Sequence, residues 1–401
     1  MRVTLLAIIL ALYSIMLFSI DYSLSGDYQA RGIMFNDLDN KDSEFLDNRL
    51  HLYSTFKLND ILDLNFNLEV GYVTWGVIPD VLNDVDGLNF PVEGGAIGTR
   101  GLNIRTTEMN ILYKMKSLKT DIKVGQQYWA DPVSLILDDY FSGISAKTTF
   151  SESTVFELLY IKANEGHYNE ADDDNVFISN FTTELVFPLG FMLLYNDYVD
   201  DKVKDFVAIP YVNKPYCNFD FGLTGIVDYY YKEGAKNKIG LGSVIRTKYD
   251  NEKINAGLDF LTVNKYGINY LSPWYQNGLQ IFGIGKIHDS SNLGWSSAYE
   301  YDNGVGFSSL VLNGGYVIND ELSAFVTGGL ISTLDDGADI SERLNKHNYG
   351  KEINAGFNYQ IIPETLSIDV FGALGKTGDL YNVAQRDQGL YQLGTVLRAS
   401  F

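Results

Sequence analysis

His51, His167, His288 and His347 are the only imidazoles in the chain, and none stands near a Ser or Asp in a known nucleophile motif. His51 shares a strand face with Arg49, Tyr53 and Lys57, because side chains two apart on a strand point the same way. It therefore reads as a polar wall residue rather than a general base. Asp172-Asp173-Asp174, with Glu165 and Glu170 close by, supplies the hard oxygen donors that calcium takes. The stretch lacks the glycine and terminal glutamate of an EF-hand loop. A solvated acidic loop tip is the simpler reading, and loop calcium the alternative; no cofactor and no other metal is expected. Gly94-Gly95 and Gly314-Gly315 lack the strand-to-helix context of a phosphate loop. The single Cys217 has no partner for a disulfide or a thiolate metal site, and is expected to pack as a small hydrophobe. No catalytic constellation can be assembled, so the chain is not expected to be an enzyme.

What remains is charge and hydrogen bonding carried on strand faces. Phe219, Phe221, Leu223, Val227 and Tyr229 alternate with Asp220, Gly222, Thr224 and Asp228, and Ile254, Ala256, Leu258 and Phe260 alternate with Asn255, Gly257 and Asp259. Period-two alternation gives each strand one apolar and one polar or small face. The polar faces collect Arg49, His51, Lys57, Glu69, Asp121, Lys123, Asp220, Asp228, Arg246, Lys248, Asp259, Asp369 and Arg398. These are the candidate pore-lining residues.

The elements that position them are hairpins repeated along the chain. Short turns are expected at Asn59-Asp60, Lys116-Ser117-Leu118, Ser151-Glu152, Pro188-Leu189-Gly190, Asn213-Lys214-Pro215, Asp250-Asn251-Glu252, Asn319-Asp320 and Pro363-Glu364, from the turn chemistry of Asn, Asp, Gly and Pro. Longer polar connections fall between them, at 76–100, 130–138, 163–175, 264–276, 333–349 and 377–390. Sorting short and long connections by parity is the asymmetry of a transmembrane barrel, with tight turns at one end and long loops at the other. The expected fold is all-β: a transmembrane antiparallel up-and-down β-barrel of about 18 strands, with about 16–20 open.

Composition agrees. Tyr (28) and Phe (23) are abundant, Gly (38) is plentiful and Pro (8) scarce; mean hydropathy is −0.06, as alternating strands produce. Aromatics near strand ends (Tyr72, Trp75, Tyr113, Tyr128, Trp129, Tyr229, Tyr231, Trp274 and Tyr275) suit interfacial girdles. The formal net charge of −21 excludes nucleic acid as a default partner, since phosphate contacts need a basic surface. Residues 1–25 read as a secretory signal peptide, with Arg2 before the apolar run from Leu5 to Phe18 and cleavage expected after Ser25. That leaves 26–401 as an outer-membrane barrel. Its last strand alternates Tyr391, Leu393, Leu397 and Phe401 toward lipid with Gln392, Arg398 and Ser400 toward the interior.

Several pieces of the first 150 or so residues resemble outer-membrane porins of the alginate-export type. They are Tyr28-Gln29-Ala30-Arg31-Gly32, Asn48-Arg49-Leu50-His51-Leu52, and Glu69-Val70-Gly71-Tyr72-Val73-Thr74-Trp75-Gly76. Lys123-Val124-Gly125-Gln126-Gln127 and Leu137-Asp138-Asp139-Tyr140-Phe141-Ser142-Gly143-Ile144 complete the set. The resemblance implies a monomeric barrel of about 18 strands that passes solutes across the outer membrane. The mixed signs of the inward charges depart from the basic lining that a polyanion exporter implies. By resemblance to outer-membrane proteins, Phe401 is expected to be part of the signal read by the barrel-assembly machinery.

The functional expectation is a channel for passive diffusion of small hydrophilic solutes or ions, with a mild cation preference. Constriction is expected from the connections at 76–100 and 130–138, which place Asp80, Asp84, Asp86, Glu93, Asp138 and Asp139 where carboxylates would favour cations. The alternatives are a substrate-specific channel or exporter for saccharides, and a plugged structural or adhesion barrel.

Overall fold

The computed structural model describes residues 21–36, 38, 41–75, 93–95, 104–164, 173–184, 188–199, 202–268, 270–272, 274–283, 306–334, 348–379 and 385–401. Alternation of β-formers produces strands throughout. They run β1 (Asp21–Asn36), β2 (Asp42–Asn59), β3 (Leu62–Trp75), β4 (Glu93–Gly95), β5 (Ile104–Met115) and β6 (Thr120–Ala130). Next come β7 (Asp138–Ser151), β8 (Thr154–Asn164), β9 (Asp174–Glu184), β10 (Pro188–Tyr198), β11 (Val203–Tyr216) and β12 (Phe219–Lys232). The remainder are β13 (Lys238–Asp250), β14 (Ile254–Val263), β15 (Phe307–Val317), β16 (Leu322–Ser332), β17 (Asn348–Ile362), β18 (Leu366–Thr377) and β19 (Gly389–Ser400).

All belong to one sheet of nineteen strands. The three-residue β4 lies parallel to the end of β3; without it, eighteen antiparallel strands follow one another in chain order, and β1 pairs with β19 to close the ring. Closure removes every open edge, so the backbone of each strand is hydrogen-bonded to two neighbours, which is what lets a sheet stand in hydrocarbon. The outward face is apolar: Leu312 is 57 % and Leu374 64 % exposed, values that an aqueous surface would leave as a continuous apolar liability.

Side-chain amides set the short turns. The Asn251 Oδ1 accepts the backbone N–H groups of Lys253 and Ile254 (2.8 and 2.7 Å), and the Asn319 Oδ1 accepts those of Glu321 and Leu322 (2.9 and 2.8 Å). These are Asx turns, in which the side chain substitutes for a turn carbonyl. Two expected turns are displaced. Pro188-Leu189-Gly190 opens β10, and Asn213-Lys214-Pro215 lies inside β11. The turn after β11 is made instead at Cys217 and Asn218, with Cys217 in the left-handed region (φ 53°) and exposed. Cys217 is thus a turn residue and not a packed hydrophobe; the proline misled because it sits at a strand end, where a missing N–H costs little.

The hydrophobic core lies inside the ring. Its inner wall is Val176, Ile178, Met192, Leu194, Val207, Ile209, Ile226, Val244 and Leu261. Two inward connections fill it. One carries Val133, Leu135, Ile136 and Leu137 between β6 and β7; the other carries Tyr275, Leu279, Ile281 and Phe282 after β14.

Candidate pore

The opposite arc of the ring is lined by polar side chains in cross-strand contact. Arg31 of β1 forks onto Asp47 of β2, Nε to Oδ1 at 2.9 Å and Nη2 to Oδ2 at 2.5 Å. On the same face His51 Nε2 meets Glu69 Oε2 at 2.7 Å, and the Tyr53 hydroxyl donates to Asp27 Oδ2 at 2.7 Å. Arg105 of β5 approaches Glu69 at 4.0 Å. Toward the short-turn end, Lys114 donates to Asp63 (2.5 Å), Asn65 to Asn110 (2.9 Å) and Asn67 to Glu108 (2.6 Å). Across β18 and β19 Arg398 pairs with Asp369, which also accepts from Asn358 of β17. Opposite charges facing each other across neighbouring strands are the sheet's favoured polar pairs.

The inward connections are fastened by buried carboxylates. Asp131 accepts the backbone N–H groups of Val133, Ile136 and Leu137 at 2.9, 2.7 and 2.9 Å. Burial pushes its carboxyl above the ordinary range, while those three donors pull it back. Glu352 of β17 accepts from the backbone N–H groups of Gln280, Ile281 and Phe282 at 2.6, 3.0 and 3.0 Å. Tyr275, 1 % exposed, donates its hydroxyl to Asp259 at 2.5 Å. The other Asp259 oxygen accepts Arg246 Nε at 2.7 Å, and the guanidinium carbon lies 4.4 Å from the Tyr275 ring centre. Burial, with the Asp259 carboxylate next to it, holds the Tyr275 phenol well above its ordinary pKa. The two connections also bind each other: the Leu271 N–H donates to the Ile136 carbonyl (2.8 Å), Trp274 to Ser134 (3.0 Å) and Asp138 to Ser272 (2.7 Å). A sizeable cavity, about 780 Å³, lies between them and the short-turn end of the barrel.

The thirteen inward candidates fall into four groups. Arg49, His51, Lys57 and Glu69 lie on β2 and β3 with the polar arc, and Asp369 and Arg398 meet across β18 and β19. Asp121 and Lys123 lie on β6, where Asp121 stands opposite Lys114 on one side and Lys147 on the other. Asp220, Arg246 and Lys248 border the cavity. Asp228 and Asp259 are on the inner face but are 0 % and 5 % exposed; Asp228 sits within packing, and Asp259 meets the cavity only from beneath its bonds to Arg246 and Tyr275. Among the loop carboxylates, Asp139 accepts from Ser272 Oγ at 2.6 Å and Asp138 from the Tyr128 hydroxyl at 2.5 Å. Glu93 begins β4 beside Val73, while Asp80, Asp84 and Asp86 lie outside the described residues. So do His167, His288, His347, Glu165, Glu170 and Asp172; Asp173 is ion-paired with Lys162.

Sequence reasoning did not single out Asp131, Glu352 or the 277–283 stretch. A signal was present: Val133, Leu135, Ile136 and Leu137 make a connection far more apolar than solvent would keep. Of the expected girdle aromatics, Tyr275 is interior and Trp129 packs against the core, while Trp75, Tyr113, Tyr128, Tyr229, Tyr231 and Trp274 are exposed.

No protein-family model matches this sequence, and no curated protein matches it. Solved structures do match. OccAB1 of Acinetobacter baumannii superposes with a TM-score of 0.62 at 10 % identity, over 96 % of this chain and 98 % of that one. OccAB4 of the same species gives 0.59 at 13 %, over 94 % and 98 %. The outer membrane protein OprD from Pseudomonas aeruginosa gives 0.57 at 12 %, over 96 % and 94 %. At such identities the likeness is one of fold, and over nearly its whole length this chain is a closed eighteen-stranded antiparallel barrel similar to OprD and the Occ proteins.

Proposed function

We propose that the chain is a bacterial outer-membrane channel through which small hydrophilic solutes and ions diffuse passively. One observation carries this reading: a closed barrel whose outer face is apolar bears on its inner face a continuous arc of paired charged and amide side chains. Paired opposite charges across that arc would orient polar solutes without holding them. A mild cation preference follows from carboxylates placed along the path. The residues proposed to line it are Arg49, His51, Lys57, Glu69, Asp121, Lys123, Asp369 and Arg398, with Asp220, Arg246 and Lys248 toward the cavity. The likeness to solved outer-membrane barrels supports location in the outer membrane. The finer resemblance to the alginate-export type rests on the quoted sequence pieces alone.

The barrel needs no cofactor for this task, and lipid is its surrounding partner. A monomer is the proposed state. Cleavage after Ser25 remains a proposal from the sequence; Asp21–Ser25 continue β1 against β2, and Gly26 and Phe401 exchange backbone hydrogen bonds of 2.9 and 3.0 Å. Phe401 is proposed as part of the signal for the assembly machinery. Deleting it is expected to lower the amount of folded barrel in the membrane, read as loss of heat-modifiable migration. Planar bilayers test the channel directly. Discrete conductance steps with a reversal potential on the cation side are expected under a salt gradient; no conductance, or clear anion selectivity, would overturn the respective part of the reading.

A further inference from the structure

The cavity beneath the two inward connections has a lining that its barrel role does not require. Its volume of about 780 Å³ lies within the range of small-molecule sites, ~300–1,000 Å³. Six amides reach it from five separate elements: Asn180 of β9, Asn213 of β11, Asn255 of β14, Gln276 and Asn277 of the inward connection and Asn313 of β15. Tyr211 of β11 adds an aromatic ring, its hydroxyl donating to Asn180 Oδ1 at 2.9 Å.

The charges around the cavity are already matched to one another. Arg246 is held by Asp259 and by the Gln276 carbonyl. Lys248 Nζ lies 2.7 Å from Asp250, and the strand register sets it opposite Asp220. A charged solute would have to break these pairs to be recognised. Two of the amides are also engaged, Asn180 by Tyr211 and Glu157 and Asn313 by Thr327 and the Asn277 carbonyl; two others are differently disposed. The side chains of Asn213 and Asn255 make no hydrogen bond among the described residues. Asn277, 5 % exposed, spends its Oδ1 on the Leu279 N–H, and its Nδ2 has no partner among the described residues. A buried donor left unpaired is costly, so the Asn277 Nδ2 is held by its place in the connection rather than by a partner.

Amides donate and accept from adjacent atoms, which matches neighbouring hydroxyls that do the same. The carbon face of a sugar ring suits an aromatic side chain and the apolar Val133, Val244 and Leu258 that also border the space. We propose that this cavity is a binding subsite for uncharged saccharides of one or two rings, placed on the path of the channel proposed above. The assignment deepens that reading and rests on it for its purpose, but the binding itself is separable from conduction.

Two measurements keep them apart. Maltose is titrated calorimetrically into the purified barrel in an alkyl amine oxide detergent, which carries no sugar headgroup. Maltose is then added to single channels in a planar bilayer. Saturable heat and concentration-dependent current block are expected, stronger than with lysine, with glutamate or with a polyethylene glycol of equal size. Asn213→Ala combined with Asn255→Ala should weaken binding about tenfold, the combined effect of two hydrogen-bonding groups, while single-channel conductance without sugar shows that the variant folds and inserts. Conductance without sugar binding would overturn the subsite and leave the channel standing. Equal block by the size-matched polymer, or unchanged binding in the double variant, would overturn it as well. Saturable sugar binding without conductance would keep the subsite and sink the channel.

Discussion

Along β1 to β5 the inner positions hold Arg31, Asp47, His51, Glu69 and Arg105, whereas along β8 to β14 many of the same positions hold Ile161, Ile178, Met192, Leu194, Ile209, Ile226 and Leu261. Both arcs obey the same period of two, and both turn an apolar face outward. They differ in what they meet inside. The first arc is polar and satisfies its charges pairwise across strands. The second meets two folded-in connections and behaves like the core of a soluble protein. Inward therefore does not mean polar in this barrel; it means matched to whatever occupies the lumen at that sector.

The comparison can be broken most forcefully at Glu352. Glu352→Ala leaves three buried N–H donors on 280–282 without an acceptor, a loss on the order of 4 kcal/mol. Raised single-channel conductance, a lower urea midpoint and faster proteolysis within the inward segment are expected. If all three are unchanged, the carboxylate does not hold the segment to the apolar arc. Ile281→Ala should come next, at about 3 kcal/mol for a core cavity; the urea midpoint falls while ion selectivity stays as it is, because the polar arc is untouched. An altered reversal potential would show that the two arcs are coupled.

Arg31→Ala does the reverse. Its pair with Asp47 is partly exposed, so about 1 kcal/mol of stability is at stake, but removing one inner positive charge should move the reversal potential toward cations. The smallest effect concerns pH. Because burial raises the Asp131 carboxyl, its folded form binds a proton more readily than the unfolded chain. The stability it contributes is complete below the ordinary carboxylate range and declines as pH rises through the raised value. Asp131→Asn should flatten the stability profile just above the ordinary carboxylate range; an unchanged slope would place the titration elsewhere.

The barrel was legible in the sequence because its signal is local and repeated. Alternation of the kind seen in Ile254 to Phe260 fixes which face is apolar, and Asn251 or Asn319 fixes where a hairpin reverses. Alternation alone does not report what the inner face touches. Asp228 and Arg49 look equivalent by parity, yet one is enclosed and the other belongs to the polar arc. That distinction depends on residues 131–137 and 275–283, which reach strands far away in sequence. Such contacts leave no periodic trace, only an apolar connection where a polar one is usual. The turn misplaced onto Asn213-Lys214-Pro215 has a local cause: turn chemistry and a strand end share residue preferences, and only the Cys217 backbone resolves them.

The seam between β1 and β19 has a consequence for how the molecule is made. Asp27 lies opposite Ser400 and Phe35 opposite Gln392, so the pairs that complete the ring join residues separated by nearly the whole chain. Every other long strand pairs with a neighbour close in sequence. Hairpins can therefore form early and cheaply, but the seam carries the largest loop-closure entropy in the fold. Until it forms, two strand edges stand unpaired, able to recruit another chain. Assembly of this barrel is thus a race between ring closure and edge capture, decided at its final step.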